Sequence, residues 1–565
     1  MIKKSNTFLL IFILSFLCLC IKIIYLGNTS LGQDTASYIF WLQSIFVSER
    51  FFPIILEDSS IVNSLLLDDK SFIYNFLKPI YSSTTILFTI VSLIYFYIGS
   101  LFLSATVESQ IILSIFANTL AIFLLSTFFL YFKKYLKNFN HHNQIALILF
   151  FFLSTNSFFY GFATYGAHNV GIFFLFLNLI YLEKYLKKIL SDEINLRFRL
   201  KYFFIQFLAL YSMYTNVFLI ITCASLSIFF LNKSFKIKFN ELIKYITFTF
   251  IQILPALILL FMSSKITGGD QGFLLWGEWA FTLDEGASEF EIFKYLKTNL
   301  VSWFAYNSTV FGLFSFIVSC IGIYLIKIKF KINVLFYFLI SHFLISILMA
   351  GFNYAQQRTS AYLLPINSVG LSIFFYFLLI KFNKVMKNKK TYILKILYAS
   401  LILITMFEVT QNINKLINPT KIYADWSSFY KTDNRYKEYL NRLDVILPNN
   451  NLIITDSNRL KIILSTLNYP NKKLNFILAL DALSDNYENK KDPSRARLNI
   501  RKLGNVINKK IYFVIPDDNY SKKSLNKLES ILCLEIKLCK KKLVLHKDKG
   551  NQYQNKIKIF LLEDL

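Results

Sequence analysis

Residues 7–24, 245–261 and 363–380 are nearly uninterrupted apolar runs. Each is about as long as a helix must be to cross a hydrocarbon core roughly 30 Å thick. Several such runs in one chain exclude a single anchor on a soluble enzyme. The composition agrees: of 565 residues, 55% are hydrophobic and 18% aromatic, and the mean hydropathy is +0.47. A soluble protein of this size has too little polar surface to cover that much apolar area. The bilayer is therefore the solvent. The sequence predicts an α-helical polytopic membrane protein with roughly eleven to thirteen transmembrane helices over residues 1–410. A C-terminal small α/β soluble domain is expected over residues 411–565, where hydropathy falls.

A formal net charge of +27 would suggest nucleic acid if the cations formed one face or tail. Here they fall in short clusters between apolar runs, at 133–142, 183–201, 232–244, 327–331 and 381–390. The orientation rule makes these clusters cytoplasmic, and nucleic acid is not an expected partner. Alternation then puts the polar turns at 165–169, 214–216 and 353–358, and the long acidic loop 264–299, on the outside, together with the loop 27–83 and everything after Val409. The segment 84–132 holds two apolar runs where an odd number of crossings is needed, which sets the range in the helix count.

The first run follows a charged start with no small-residue cleavage site after it, and it reads as an uncleaved first helix. Cys18, Cys20, Cys223 and Cys320 lie in apolar spans, as small hydrophobes do. Cys533 and Cys539 are the two that an extracytoplasmic tail would allow to pair. In that tail, NLIITD (451–456), KIYFVIP (510–516) and IKIFLLED (557–564) read as strands, and 458–467 and 521–532 have helical spacing. No phosphate-loop, dinucleotide or metal-ligand pattern occurs there.

Ionisable residues beside apolar spans are costly to keep, so they are the functional candidates. Asp34 follows the first run in LGQDTASYIF, where it also suits a helix N-cap. Lys78 precedes Pro79 at the entry to the next run, where a snorkelling anchor is the plainer role. Arg358, in QQRTSAYLLP, meets the helix expected near Tyr362 and is suited to a bidentate phosphate contact. His168 and Asn169 lie in the YGAHN turn; a histidine there also suits a structural hydrogen bond. All of these candidates fall on the outer side, as a site for a lipid-phosphate substrate requires. The acids of the loop 264–299, from Asp270 to Glu291, read as a solvated face.

These segments resemble the polytopic glycosyltransferases of the GT-C fold that use polyprenyl-phosphate sugars, among them protein mannosyltransferases and lipid A aminoarabinose transferases. The D-x-x-x-Y step of Asp34 and Tyr38, the Lys78-Pro79 step, the turn and helix FATYGAHNVGIFFLFLNLIYLEKYL, the hairpin ALYSMYTNVFLI and the R-x-x-x-Y-x-x-P pattern of Arg358, Tyr362 and Pro365 occur in the family's order. The resemblance implies inverting transfer of a sugar from a polyprenyl-phosphate donor to an external lipid, glycan or protein acceptor. In that reading Asp34 is the catalytic base, Lys78 and Arg358 bind the donor phosphate, and Tyr38, His168, Asn169 and Tyr362 contact substrate. It also implies a bacterial inner (plasma) membrane location, with the site and the C-terminal domain extracytoplasmic. Thr35 stands where many relatives have a second acid, Ile80 where many have a second proline, and His168 and Asn169 where some have an aspartate. No metal ligands are assigned; a divalent cation is the one cofactor left open, and so is the sugar. The competing readings are a lipid-linked glycan flippase or transporter and a polysaccharide polymerase. The absence of an internal repeat and the one-sided candidates weigh against a transporter.

Overall fold

The computed structural model of the protein describes residue 13, residues 142–156, 166–212, 216–266, 289–329, 334–348, 357–387 and 391–417, and strands 452–455, 476–479, 511–516, 541–546 and 557–564. Helices α1 (His142–Thr155), α2 (Gly166–Leu190), α3 (Leu196–Ser212), α4 (Asn216–Phe229) and α5 (Phe235–Ile266) come first. They are followed by α6 (Glu289–Phe311), α7 (Leu313–Lys329), α8 (Val334–Leu348), α9 (Gln357–Lys387) and α10 (Tyr392–Ile417). Among the described residues two helical segments, Tyr362–Lys387 and Tyr392–Asn414, are long and apolar enough to cross a membrane unaided. A third candidate is the bent pair Leu296–Phe311 and Leu313–Ile328, broken by 98°.

Among the described residues, the basic clusters read as loops at 183–201, 232–244 and 381–390 are largely helical. Helix α2 runs on through Lys187 and Lys188 to Leu190, and α5 starts at Phe235 inside the 232–244 cluster. Lysine is a good helix former, and at a helix C-terminus it complements the dipole, so these helices need not stop where hydropathy does. What remains between α2 and α3 is the short turn 191–195, from which the Asn195 side chain accepts the backbone N–H of Phe198 at 2.9 Å.

Helix α9 is the centre of one half of the bundle and packs against α1, α6, α7 and α10. Its tightest neighbour is α7. A Cβ built on Gly322 would lie 2.0 Å from the carbonyl oxygen of Gly370, and one on Gly370 would lie 2.3 Å from that of Ser319. The two backbones touch, as small residues permit at membrane helix crossings. On the other side of α9, Phe152 of α1 meets Phe375 edge to face at 5.6 Å. The other half is the α2–α3 hairpin with α4, α5 and α8: Tyr185 stacks on Tyr202 at 4.9 Å, and Phe176 faces Phe338 at 6.3 Å. In α9, 78% of the apolar window is buried, against 11% in α10. Together with exposed Phe250, Ile251, Leu254 and Ile258 on α5, α10 presents an apolar rim that only lipid or another apolar surface tolerates.

The C-terminal strands are β1 (Leu452–Thr455), β2 (Phe476–Ala479), β3 (Ile511–Pro516), β4 (Lys541–His546) and β5 (Ile557–Asp564). They form one five-stranded sheet in the order β2-β1-β3-β5-β4. Strand β1 pairs in parallel with β2 and β3, with Ile453 opposite Ile477 and Tyr512. Strand β5 runs antiparallel to both β3 and β4, with Phe560 opposite Phe513 and Leu545. Parallel neighbours require crossover connections, and residues 456–475 and 480–510 are long enough to supply them. The stretches 458–467 and 521–532, expected to be helical, lie outside the described residues, as do Cys533 and Cys539.

Candidate functional site

Chain direction and side-chain contacts sort the helix ends into two groups. One end collects the basic residues. Tyr185 of α2 donates to Glu241 Oε2 of α5 at 3.0 Å; Arg199 of α3 donates to Glu241 Oε1 at 2.8 Å and to the Tyr185 hydroxyl at 3.1 Å; Lys244 reaches Glu241 Oε1 at 3.2 Å. Burial draws the Glu241 carboxyl upward, but hydrogen bonds from Arg199, Lys244 and Tyr185 outweigh it and hold the carboxyl below the usual glutamate range. Burial, and then the charge of Glu241, push the Tyr185 hydroxyl well above the usual tyrosine value. A cluster of shifted groups is often a catalytic site. Here each charge is answered by a neighbour, so the cluster serves as a lock joining α2, α3 and α5.

The opposite end holds the sequence candidates that the structure describes. Asn216, the first residue of α4, donates through Nδ2 to the carbonyls of Gly171 in α2 at 3.2 Å and Ala209 in α3 at 3.1 Å. This bond brings the start of α2 to the start of α4. His168 and Asn169 thus occupy the first turn of α2, a helix rather than the expected open turn. Arg358 is the second residue of α9, whose start is Gln357, five residues ahead of Tyr362. Tyr362 follows Arg358 by one helical turn and is buried in the bundle core. Neither α2 nor α9 has an acidic residue in its own first turn to offset the positive end of its dipole, and such an end is suited to an anion.

Contacts that spacing alone does not reveal surround this end. Asn299 donates to the carbonyl of Ile347 at 2.9 Å, and Trp303 donates through Nε1 to His342 Nδ1 at 3.1 Å. Both tie α6, which begins in the C-terminal part of the acidic loop, to the end of α8 that leads toward Arg358. Asn156 donates to Val310 at 3.0 Å, closing α1 onto the α6–α7 break. Their signal in the sequence is the one used for Asp34: His342 is an ionisable residue inside an apolar run. Asp34, Tyr38 and Lys78, with the loop 27–83 and most of 264–288, lie outside the described residues. Among the described residues no group of three or more His, Cys, Asp or Glu side chains is arranged to hold a metal ion.

The fold has relatives among solved membrane glycosyltransferases of the GT-C class. The archaeal oligosaccharyltransferase AglB from Archaeoglobus fulgidus, solved with an inhibitory peptide and a dolichol-phosphate, superposes with a TM-score of 0.52 at 12% identity. That match covers 99% of this chain and 74% of AglB. ArnT from Cupriavidus metallidurans bound to undecaprenyl phosphate gives a TM-score of 0.55 at 8% identity, covering 99% of this chain and 98% of ArnT. ArnT in the apo state gives 0.53. No sequence-family model matches the chain, and no curated protein matches it by sequence. At these identities the likeness is one of fold: the chain is a helical membrane protein built like the GT-C glycosyltransferases.

Proposed function

We propose that this protein transfers a sugar, with inversion, from a polyprenyl-phosphate-linked donor to a lipid, glycan or protein acceptor outside the cytoplasm. The observation that carries the reading is the GT-C-like fold over 99% of this chain and 98% of ArnT, a protein solved with undecaprenyl phosphate bound. The order of Asp34, Lys78, Arg358 and Tyr362 along the chain supports it. In this reading Asp34 accepts the proton of the acceptor hydroxyl as that oxygen attacks the anomeric carbon. The bond from that carbon to the phosphate oxygen breaks, and the polyprenyl phosphate departs with the electron pair. Lys78 and Arg358 balance the charge that develops on it, helped by the positive N-terminal end of α9. Tyr38, His168 and Asn169 orient the sugar and acceptor, Tyr362, buried one turn after Arg358, backs the site from the core, and alignment supplies much of the rate because the donor already carries a good leaving group. A divalent cation, if required, would have to use acids outside the described residues, and no step here depends on one.

The reading includes a location. The sheet of β1 to β5 belongs to an extracytoplasmic α/β domain over 411–565, on the same side as Arg358, in a bacterial inner (plasma) membrane protein. The test is transfer from a polyprenyl-phosphate sugar by purified protein, with Asp34→Asn beside wild type. An amide keeps the shape of the carboxylate but cannot take the proton, so turnover should fall about 100-fold to 10,000-fold while donor binding persists. Full activity in Asp34→Asn would remove Asp34 from the mechanism. No transfer by wild type, together with movement of a lipid-linked glycan across vesicles, would establish a flippase instead.

A further inference from the structure

At the lysine-rich end, the corner between the end of α4 and the start of α5 has charges that the lock does not use. Lys233 pairs with Asp192, and Lys244 and Arg199 share Glu241, which is turned inward. Among the described residues Lys236 and Lys238 have no ion-pair partner; Lys238 lies over the Phe229 ring at 5.6 Å. Around them four phenylalanines are exposed: Phe229 and Phe230, in edge contact at 5.3 Å, and Phe235 and Phe239, stacked at 5.9 Å.

We propose that this corner binds anionic phospholipid of the leaflet on the lysine-rich side, with headgroup phosphates met by Lys236 and Lys238 from the two flanks of the first turn of α5 and acyl chains lying over Phe229, Phe230, Phe235 and Phe239. Exposed rings at this density are stable against hydrocarbon and not against water, which fixes the depth of the corner at the headgroup boundary. At that depth the two ammonium groups, which no described acid pairs, meet lipid phosphates. The first turn of α5 contains no acid, so the positive end of its dipole adds to theirs. A zwitterionic headgroup brings its own cation into this field, and free phosphate cannot use the rings. Charge complementarity and the rings together therefore select an anionic lipid.

Each basic residue near an anionic surface strengthens association by roughly fivefold, so the pair accounts for roughly 30-fold. The experiment titrates the full chain in detergent with phosphatidylglycerol, phosphatidylcholine or inorganic phosphate and follows the thermal unfolding midpoint. Phosphatidylglycerol should raise the midpoint of wild type, and Lys236→Gln/Lys238→Gln should need roughly 30-fold more lipid for the same rise. Lys384→Gln/Lys387→Gln, at the far end of α9, should respond as wild type does. Should the first double variant prove unstable, Lys236→Gln alone should show a roughly fivefold weaker response. An unchanged response in the Lys236 variants, an equal rise with phosphatidylcholine or with phosphate, or an equal loss in the Lys384/Lys387 variant would overturn the proposal.

Discussion

Glu408 of α10 accepts the backbone N–H of Ser315 at 2.7 Å, and its other carboxylate oxygen accepts that of Phe314 at 2.9 Å. One helix thus supplies the N-terminal cap of another at the point where α6 and α7 break. The first turn of α7 has no partners within its own helix for these groups, and in a membrane they cannot be left to water. Gly312, at φ +85°, makes the bend, and a Cβ there would lie 2.6 Å from the Glu408 carboxyl carbon. Hydrogen bonds to a charged group contribute about 1.5 to 3 kcal/mol. Glu408→Ala should therefore lower the unfolding midpoint in detergent clearly, Glu408→Gln less so, and Gly312→Ala should be destabilising through both its backbone conformation and the clash. A midpoint unchanged in Glu408→Ala would show that the cap contributes little.

The crossing of α7 and α9 should be equally intolerant of a single methyl group. Gly322→Ala and Gly370→Ala each put a carbon where a backbone carbonyl already sits, and backbone cannot rotate away as a side chain can. Overpacking of this kind costs typically about 1 to 3 kcal/mol. Ser319→Ala removes only a hydroxyl that bonds to Phe316 within its own helix at 2.7 Å, and it should have a small effect. Unfolding midpoints of the three variants, measured side by side, check the order.

Much of the scaffold was legible because a bilayer forces apolar residues into runs. Residues 363–380 lie inside α9, α3 ends at Ser212 and α4 begins at Asn216, and β1, β3 and β5 coincide with the strand-like runs. Strand β4 was missed because Lys541 and Lys542 mask its alternation at a sheet edge, where lysine is common. Strand β2 is four residues of FILA, too short to separate from helix by periodicity. The break at Gly312 was hidden because FGLF lies between two apolar stretches that hydropathy joins into one. The first turn of α2 looked like a loop because His168 and Asn169 are polar, though polarity at a helix start does not end the helix. Of the candidate site, the sequence could indicate residue types and their order along the chain. Pairings such as Asn216 with Gly171 or Trp303 with His342 depend on packing between segments far apart in the chain, which no local spacing encodes.

The Glu241 lock predicts a direction for the pH dependence of stability. Its carboxyl titrates below the usual glutamate value when folded, so near that value the unfolded chain binds more protons. The stabilisation is therefore fully present above the unfolded glutamate range, about 4.3, and is lost as pH falls through the lower folded value. Glu241→Gln should be less stable than wild type at neutral pH by about 1 to 3 kcal/mol. The two proteins should converge in acid. Midpoints measured from pH 7 downward check this, and a gap that stayed constant with pH would mean that charge on Glu241 is not what stabilises the lock.

Arg358 offers a separation of stability from function. A cation in the first turn of a helix opposes the dipole, typically by about 0.3 to 1 kcal/mol, and α9 has no acid there to offset it. If Arg358 is kept to hold a phosphate, the opposing dipole becomes an advantage, because helix terminus and guanidinium then act on the same anion. Arg358→Ala should thus leave the unfolding midpoint unchanged or slightly raised while weakening the binding of polyprenyl phosphate by roughly 10-fold to 150-fold, the equivalent of about 1.5 to 3 kcal/mol. Arg358→Lys keeps the charge but loses the two-pronged donor geometry, and should fall between alanine and wild type. The measurement pairs thermal unfolding with binding of polyprenyl phosphate for the three proteins. A fall in stability with unchanged binding would assign Arg358 to the scaffold and leave Lys78 as the remaining candidate for the donor phosphate.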